Sequence, residues 1–263
     1  MSPERHPSPR AAAVDPRRVG VLALGLPDGT RLEDHVHAWP QLVYASHGVL
    51  TVRTDEGTWI LPPRRAVWVP AGLLHSLEAT GEVRLRTLYL HPEAAAGLPE
   101  RAAVMDVAPL LRELVLEIVR RGGLTDETPD QERLLGVLRD LLVATPEAPF
   151  ELAWPRDPRA RRVAERLHRR PRLDLDHAAL AAHSGASERT LERLFRRETG
   201  ETLGAWRRRS RLFHALRLLA AGTSVSETAW EVGYATPSAF IAAFRRTLGR
   251  TPGEFLARPE PTP

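Results

Sequence analysis

The stretch LAAHSGASERTLERLFRRETG, residues 180–200, decides the fold of the C-terminal half of this chain of 263 residues. Asp176 is placed to cap a short helix that ends at Gly185, where a glycine allows a tight left-handed turn. Ser187 then caps a second helix, which runs over Glu188–Glu198. The inward positions of this helix form one apolar face: Leu191, Leu194 and Phe195. A short helix, a glycine turn and a capped second helix predict a helix-turn-helix unit.

The same pattern returns further along the chain. Ser224 or Ser226 caps a helix, and the Gly233-Tyr234 dipeptide forms the turn that follows it. A second helix then runs over about Thr236–Leu248. One helix-turn-helix pattern occurs by chance in many small helical bundles, but two copies in succession predict a domain built from this unit.

Charge separates the two halves of the chain. Residues 157–258 contain 20 Arg and 11 Asp or Glu, a net charge of +9, whereas residues 1–156 contain 17 Arg and 21 acidic residues, a net charge of −4. Every positive side chain is Arg, because the chain has no Lys. This asymmetry favours a polyanion such as nucleic acid as the partner of the C-terminal part; the alternative is a solvated surface of mixed charge.

Composition also excludes several classes of protein. The chain has no cysteine, which excludes disulfide scaffolds, thiol catalysis and cysteine-ligated zinc. No apolar run approaches the ~20 residues that cross a bilayer. Residues 1–18 are rich in Pro, Arg and Ala and lack the apolar centre of a secretory signal. We therefore expect a cytoplasmic protein that makes no contact with membranes and begins with a disordered tail at 1–18.

The first half of the chain has a β pattern. Short runs rich in Val, Leu, Trp and Tyr alternate with Gly, Pro and Asp, which break strands. The predicted strands are Gly20–Leu26, Gln41–Ala45, Gly48–Thr54, Thr58–Leu61, Ala66–Val69 and Val83–Leu90. Many short strands at close spacing predict a small barrel or sandwich.

Residues 101–144 have apolar side chains at helical spacing and predict two amphipathic helices. Their apolar stripes either pack on the barrel or form a dimer interface, and both can be true. Four prolines in residues 145–158 predict an extended linker. The predicted fold class is α+β multidomain. Its parts are a tail at 1–18, a β-barrel at 19–92, a helical dimerisation or packing segment at 93–145, a linker at 146–157 and an all-α domain with two helix-turn-helix units at 158–258.

Two stretches carry a resemblance to a known family. Residues 180–200 and the segment VGYATPSAFIAAFRR at 232–246, followed by GRTPGEF at 249–255, are similar to the AraC/XylS family of transcription regulators. The resemblance covers about residues 157–257. It implies a seven-helix domain that inserts two recognition helices into successive major grooves on one face of DNA.

The resemblance also implies which side chains contact DNA. Base edges are read near the start of a recognition helix, and phosphates are held by Arg, hydroxyl groups and helix N-termini. Matching the family motif carries base contact to Arg189, Glu192 and Arg193. Arg can bond guanine at two points, and Glu can accept a hydrogen bond from cytosine.

The remaining outward positions are expected to hold the backbone of DNA. Arg196 and Arg197 meet phosphate or pair with Glu201. Ile241 and Ala242 on the second helix can contact a thymine methyl group but donate no hydrogen bond, so we expect this helix to position the protein more than it reads sequence. The complete set of predicted DNA contacts is Ser187, Arg189, Thr190, Glu192, Arg193, Arg196, Arg197, Thr236, Ser238, Ile241, Ala242, Arg245 and Arg246.

A second resemblance lies in the β region. His35, His37 and Gln41, with His75 after the segment PAGLL, resemble the two cupin motifs, in which two His, a Glu or Gln and a later His bind one divalent metal ion inside a β-barrel. Two His that are two residues apart on a strand project from the same face. The resemblance therefore implies a metal site at these four residues.

This sequence departs from the cupin pattern. Gln41 stands where Glu is usual and is a weaker ligand, and Arg64 and Ala79 replace the glycine and asparagine that flank the second motif. Imidazole ligands suit a divalent ion such as Zn, Ni, Fe, Cu or Mn. Two interpretations stay open: a metal ion in the barrel, or a hydrogen-bonded polar patch that lines the pocket of an effector.

One subgroup of these regulators is especially similar, through HxHxxxQLxY at 35–44, TWILPP at 58–63 and AVWVP at 66–70. Some of its members control an adjacent drug-efflux transporter. This implies control of an efflux or stress-response gene in response to a toxic small molecule.

Two functions are thus compared. The first is a non-enzymatic, sequence-specific transcription regulator that binds promoter DNA as a homodimer and responds to a small-molecule effector or a metal ion. The alternative is a metal-dependent cupin enzyme, a dioxygenase or isomerase, with a DNA-binding appendage. Glu33 and Asp34 are near the histidines in sequence but are expected to point outward or to lie in a loop. No acid–base pair is therefore expected beside the histidine cluster, which favours the regulator.

Overall fold

The structure is a computed structural model that describes residues 18–55, 57–125, 128–144, 151–172, 176–249 and 251–256. Residues 1–17 of the predicted tail and 146–150 of the predicted linker lie outside these ranges. The chain forms two compact units. The N-terminal unit comprises Met1–Val52 and Pro63–Pro149, and the C-terminal unit comprises Arg53–Pro62 and Phe150–Pro263.

Strands dominate the first half and helices the second. The strands are β1 (Val19–Leu26), β2 (Arg31–His35), β3 (Gln41–Arg53), β4 (Gly57–Leu61), β5 (Arg65–Val69), β6 (His75–Leu90), β7 (Ala103–Asp106) and β8 (Glu151–Ala153). The helices are α1 (Pro109–Arg121), α2 (Pro129–Ala144), α3 (Pro158–Arg169), α4 (His177–Ser184), α5 (Glu188–Thr199), α6 (Leu203–Ala220), α7 (Val225–Glu231), α8 (Pro237–Leu248) and α9 (Pro252–Leu256).

The N-terminal unit is built on an antiparallel sheet in the order β1-β6-β3-β5-β7, with β2 added to β6. This sheet is open, with β1 and β7 at its ends, where the sequence predicted a barrel. Two predicted strands, Gln41–Ala45 and Gly48–Thr54, are one strand in the structure. Gly48 allows this continuity, because it has a φ of 75° and a Cβ there would lie 2.3 Å from the carbonyl oxygen of Glu82.

Helices α1 and α2 form a hairpin that packs on this sheet. The core of the N-terminal unit combines buried strand residues, such as Val19 and Leu88, with the inner faces of the hairpin. The helix residues in this core are Leu111, Leu114, Val115, Ile118, Leu138 and Leu142. The predicted packing of both apolar stripes on the β region is therefore confirmed, and a dimer interface formed by these stripes stays a prediction.

The predicted helical segment at 93–145 is wrong at one place. Strand β7 lies inside it and pairs antiparallel with β5, with Met105 opposite Ala66. The segment AVMD at 103–106 is too short to show a period of two clearly, and only its pairing with β5 makes it a strand.

The predicted linker at 146–157 is also wrong over Glu151–Ala153, which form strand β8 and pair antiparallel with β4 inside the C-terminal unit. Trp154 Nε1 donates a hydrogen bond to Thr58 Oγ1 over 2.9 Å, and Trp206 Nε1 donates to the last carbonyl group of β8 over 2.6 Å. Strand β4 is hydrogen-bonded to β3, as the predicted sheet requires, and it is grouped with β8 in the C-terminal unit.

Seven helices, α3 to α9, make up the rest of the C-terminal unit in the part of the chain that the structure describes. Their core is aromatic: the ring centroids of Phe195 and Trp206 lie 5.6 Å apart, as do those of Phe240 and Phe244. The predicted α+β fold class, with a sheet-rich first part and a helical second part, is confirmed. Within the described ranges, no helix has the length and hydropathy that a membrane span requires.

Candidate DNA-binding surface and histidine cluster

The first helix-turn-helix unit, α4 and α5, is held by its caps. Asp176 Oδ1 accepts a hydrogen bond from the backbone N–H of Ala179 over 2.8 Å, and α4 ends at Gly185 with a φ of 70°. Ser187 Oγ accepts from the backbone N–H of Thr190 over 3.2 Å and starts α5. The caps and the turn predicted from the sequence are confirmed.

Helix α5 buries one face and presents the other to solvent. Leu191 and Phe195 are fully buried, as predicted. Five of its predicted DNA contacts are exposed, namely Ser187, Arg189, Arg193, Arg196 and Arg197, and two are half-buried, Thr190 and Glu192. The outward surface of α5 is therefore a row of guanidinium groups that starts in its first turn.

Some of the side chains that were predicted to contact DNA already form hydrogen bonds or ion pairs within the chain. Glu192 accepts from Arg196 Nε over 3.4 Å and from the backbone N–H of Leu203 over 3.2 Å, so its carboxylate holds the start of α6. Arg197 pairs with Glu198 over 2.5 Å. The predicted ion pair of Arg196 or Arg197 with Glu201 is wrong. Glu201 pairs instead with an arginine of α6, Arg209, over 2.5 Å.

The second unit, α7 and α8, repeats this construction. Ser224, and not Ser226, caps α7 in a capping box with Glu227. Thr236 Oγ1 accepts from the backbone N–H of Ala239 over 3.2 Å and caps α8. The predicted DNA contacts here are exposed at Thr236, Ser238, Ala242, Arg245 and Arg246 and half-buried at Ile241.

The sequence places Tyr234 in the turn of the second unit, and no functional role was predicted for it. Its Oη is buried and has no hydrogen-bond partner among the described residues. Burial raises the pKa of the Tyr234 phenol, and the positive charges of Arg211, Arg208 and Arg246 oppose that shift. A buried hydroxyl with no partner normally costs stability, so we predict that it gains a phosphate oxygen as partner only when DNA binds. The feature of the sequence that could have pointed to Tyr234 is its position as an aromatic residue directly after the glycine of the turn.

Glu198 is a second residue that the sequence did not single out. Its Oε2 accepts hydrogen bonds from the backbone N–H groups of Arg156 and Asp157, each over 2.8 Å. The end of helix α5 is thereby tied to the segment that enters α3. This bond is tertiary, so neither spacing nor composition predicts it.

In the N-terminal unit, the structure brings the three predicted histidines together. His35 ends β2 and lies opposite His75, the first residue of β6, with His37 two residues further along the chain. Ring centroids are 4.4 Å apart for His35 and His75, 4.8 Å for His35 and His37, and 5.3 Å for His37 and His75. One nitrogen from each ring lies within 4.8 Å of the others.

Hydrogen bonds set which imidazole nitrogen is available. His35 Nδ1 lies 2.6 Å from the carbonyl oxygen of Glu33, and His75 Nδ1 lies 2.9 Å from that of Leu73. A carbonyl only accepts, so each Nδ1 carries a proton, and in the neutral form of each ring Nε2 keeps a lone pair. The Nε2 atoms of His37 and His75 are buried without a partner. Burial, with the two neighbouring histidines, lowers the pKa of His37 to about 4.

Gln41 adds an oxygen atom to the cluster. Its Nε2 donates to Tyr89 Oη over 3.2 Å, and its Oε1 is buried without a partner. Burial raises the pKa of Tyr89 to about 12, and its ring lies 4.9 Å from that of His37. Tyr89 was not predicted from the sequence. Side chains alternate between the two faces of a strand, and Arg84 of the same strand is exposed, so Tyr89, five residues further along, lies on the opposite, inward face. Three imidazoles and an amide oxygen are a donor set that fits a divalent transition metal.

Comparison with known proteins agrees with this architecture. A family model described as "AraC-like ligand binding domain" matches residues 25–196, and one described as "Helix-turn-helix domain" matches residues 180–258. The first match alone spans more than half of the chain. The chain belongs to the AraC/XylS family of transcription regulators. The resemblance found in the sequence is thus confirmed.

Individual AraC/XylS relatives match over different lengths. The HTH-type transcriptional regulator NimR of Escherichia coli is 34% identical over 227 residues, 85% of this chain and 82% of NimR. The regulatory protein SoxS of Salmonella typhimurium is 35% identical over 87 residues, 33% of this chain and 79% of SoxS. The solved DNA-binding domain of AdpA, in complex with a target DNA, is 37% identical over 38% of this chain and 90% of its own, with a TM-score of 0.35.

Membership of the AraC/XylS family decides between the two functions. The chain is a DNA-binding transcription regulator with a ligand-binding domain, and not an enzyme. All predicted metal ligands lie within the match to the ligand-binding domain, and all predicted DNA contacts lie within the match to the helix-turn-helix domain. The individual contacts and ligands stay predictions.

Proposed function

We propose that this chain binds promoter DNA through α5 and α8 and regulates transcription in response to an effector bound at the histidine cluster of its N-terminal unit. The observation that carries the DNA part is the repeated, capped helix-turn-helix unit whose second helix exposes arginines. Helix N-termini and guanidinium groups suit phosphate and base edges. An effector must favour one arrangement of the DNA-binding units over another, or it changes nothing.

Base reading is assigned to Arg189 and Arg193. Both are exposed near the start of α5, where a recognition helix meets base edges, and no residue of the described chain forms an ion pair with either. Glu192 was also predicted to contact a base. Its carboxylate can do so only after its hydrogen bonds with Arg196 and with the N-terminus of α6 are broken. Phosphate contact is assigned to Arg245, Arg246 and the other arginines of the surface.

The metal interpretation of the cluster is supported by its unsatisfied atoms. Buried polar atoms are normally hydrogen-bonded, and an orphaned one costs about 1–3 kcal/mol. The cluster holds three of them: the Nε2 atoms of His37 and His75 and the Oε1 atom of Gln41. His35, His37, His75 and Gln41 would hold a Zn, Ni, Fe or Mn ion, which would supply a Lewis-acidic attachment point for an effector.

The effector itself is proposed to be a small molecule that enters at this cluster. A groove of about 680 Å³ in the same unit offers another place for it, lined by Leu98, Met105 and Leu142 among others. The cluster is preferred because its unpaired polar atoms provide directional contacts, which small-molecule sites use for orientation. We further propose a homodimer formed through the N-terminal unit and control of an efflux or stress-response gene, as the sequence resemblance implies.

DNA recognition is tested with the full chain. Genome-wide mapping of bound sites supplies an operator, and mobility-shift titration compares it with a scrambled duplex at fixed salt. We expect a preference of about a thousandfold or more for the mapped site. The double variant Arg189→Ala, Arg193→Ala should lose that preference, whereas Arg84→Ala on β6 of the N-terminal unit is the control and should keep it. Equal binding of mapped and scrambled DNA by the unchanged chain would refute the proposal.

The metal site is tested by adding Zn, Ni, Fe or Mn to metal-stripped protein and measuring bound metal by elemental analysis and affinity by calorimetry. We expect about one ion per chain for one of these metals. His37→Ala and His75→Ala should each weaken its binding at least about tenfold, by analogy with the loss of supporting ligands. His47→Ala removes a histidine outside the cluster and should leave binding unchanged. Binding that survives both cluster variants, or is absent from the unchanged chain, would favour the polar patch.

A further inference from the structure

The turn between α7 and α8 is contacted by helix α6, which connects the two helix-turn-helix units. Arg211 of α6 donates from Nε to the carbonyl oxygen of Pro171 over 2.8 Å and from Nη1 to that of Gly233 over 3.4 Å. A Cβ at Gly233 would lie 3.3 Å from the guanidinium carbon of Arg211. The absence of a side chain at this glycine therefore lets α6 approach the turn closely, and Tyr234 is the next residue of the chain.

Two exposed arginines flank this turn. Arg208 precedes Arg211 by three residues on α6, so both side chains leave the same side of that helix. Arg246 lies in the last turn of α8. Both Arg208 and Arg246 are exposed, and neither forms an ion pair with another described residue. The turn is therefore bordered by two guanidinium groups, from two different helices, whose charge is not neutralised within the described ranges.

The hydroxyl group of Tyr234 lies among charges of one sign. Its Oη is buried and forms no hydrogen bond with any described residue. The charges that act on its phenol come from Arg211, Arg208 and Arg246, and all of them are positive. Like charges that converge repel each other, and a buried hydroxyl without a partner costs free energy. An anion bound here would remove both penalties.

The same turn leads directly into the second recognition helix. Thr236, two residues after Tyr234, is the N-cap of α8, and both Thr236 and Arg246 are exposed. The N-terminus of a helix adds partial positive charge to its surroundings. The anion that DNA binding through α8 brings to this place is a phosphate group of the DNA backbone.

We propose that Arg208, Arg246 and Tyr234 hold one phosphate group of the bound DNA, and we call these three residues the α6–α8 phosphate site. The site rests on the DNA binding proposed above and adds α6, which holds none of the DNA contacts predicted from the sequence, to the elements that touch DNA. Each arginine forms charge-assisted hydrogen bonds to phosphate, and the phenol donates one more. Such a contact carries no sequence information, but it fixes the position of α8 along the backbone.

Titration of the full chain with the mapped operator at several salt concentrations tests Arg208. Arg208→Ala should lower affinity roughly threefold at moderate salt and decrease the slope of log affinity against log salt by about 0.9 in magnitude. Arg208→Lys keeps the charge and should restore the slope. Arg169→Ala is the matched control. It removes an exposed arginine of the same unit that pairs with Glu165 over 3.4 Å, and it should leave the slope unchanged. Circular dichroism checks that each variant folds.

Operators with a neutral methylphosphonate at single positions identify the phosphate group. At one position the unchanged chain should lose affinity by about tenfold, because a charge that several groups hold is removed. Arg208→Ala and Arg246→Ala should each lose much less at that same position, since part of the contact is already absent, whereas Arg169→Ala should lose the full amount. Sensitivity of Arg208 and Arg246 to different phosphate groups, or of Arg208 to none, would overturn the α6–α8 phosphate site.

Free phosphate is the competing source of the same chemistry. Inorganic phosphate is therefore titrated against the full chain by calorimetry. Saturable binding that Arg208→Ala abolishes, with DNA affinity unchanged, would mean a small-anion site and overturn the DNA contact. If the unchanged chain did not prefer the mapped operator to scrambled DNA, the proposed function itself would fail. A chain that keeps this preference and loses nothing in Arg208→Ala would lose only the α6–α8 phosphate site.

Discussion

The two recognition helices, α5 and α8, are built alike but carry different chemistry. Each has 12 residues and a hydroxyl side chain as its N-cap, Ser187 or Thr236. Each ends at a left-handed glycine, Gly200 with a φ of 75° or Gly249 with a φ of 77°. The backbone device that starts and stops a recognition helix is thus repeated in the chain.

Their exposed surfaces differ most where a helix first meets bases. Helix α5 exposes Arg189 and Arg193 there, whereas α8 exposes Ala242 and small polar side chains and has arginines only in its last turn, Arg245 and Arg246. Arginine bonds base edges directly, whereas an alanine contacts only a thymine methyl group. We therefore predict that one scaffold serves two tasks, base reading on α5 and positioning on α8.

The largest effect is expected from Arg193→Ala. Loss of a two-point bond to a base should weaken binding to the mapped operator by about 1–3 kcal/mol, roughly 5- to 150-fold. Titration against operators with single substituted base pairs should show that the preference is lost at one position only. If binding to random DNA fell by the same factor, α5 would not be the reading helix.

The next largest effect is expected from the N-cap residues of α5 and α8. If the two helices are built alike, both caps should contribute equally to the free energy of unfolding. Ser187→Ala and Thr236→Ala should each lower the free energy of unfolding by about 1 kcal/mol, because an N-terminal N–H group loses its acceptor. Urea unfolding followed by circular dichroism measures this loss. Ser238→Ala removes an exposed hydroxyl just inside α8 and is the matched control. A loss at only one cap would break the comparison between the two helices.

A smaller and different effect is expected from Arg245→Ala. A phosphate contact carries no sequence information, so affinity should fall roughly threefold on operator and random DNA alike at moderate salt. The slope of log affinity against log salt should decrease in magnitude by about 0.9. If the operator alone were affected, α8 would also read bases.

The smallest effect is expected from Tyr234→Phe. The ring keeps its packing on Phe240, whose centroid lies 5.5 Å away, and only the buried hydroxyl is removed. If that hydroxyl bonds a phosphate, affinity should fall about twofold on all DNA, the lower end for a neutral hydrogen bond. An unchanged affinity together with higher stability would mean that the hydroxyl is only an unsatisfied buried group.

Local chemistry explains which features the sequence could predict. Caps, glycine turns and apolar faces are set by residues three or four apart, so Ser187, Gly185 and both helix-turn-helix units follow from spacing alone. The four cluster residues followed from a motif, and the structure places the three histidine rings side by side. The period of two along β6 also places Tyr89 on the inward face, so this residue could have been predicted from the sequence.

Long-range pairing explains what the sequence could not predict. Strand β8 sits in a proline-rich segment, and the hydrogen bond from Trp154 to Thr58 joins residues 96 positions apart. Glu192 and Glu198 look like outward acidic residues of α5, yet they accept backbone hydrogen bonds from α6 and from the entry to α3. Such roles depend on tertiary neighbours, which neither composition nor periodicity reports.

Strand β4 has a consequence for protein engineering within this family. A chimera that exchanges only the chain after Glu151 would leave behind Thr58, the acceptor for Trp154, and the strand that completes the ribbon with β8. The edge-to-face contact of Trp154 with Trp206 would then border an unpaired strand edge. A graft that also transfers Arg53–Pro62 keeps this surface covered, so the transplantable module is two pieces of sequence, not one.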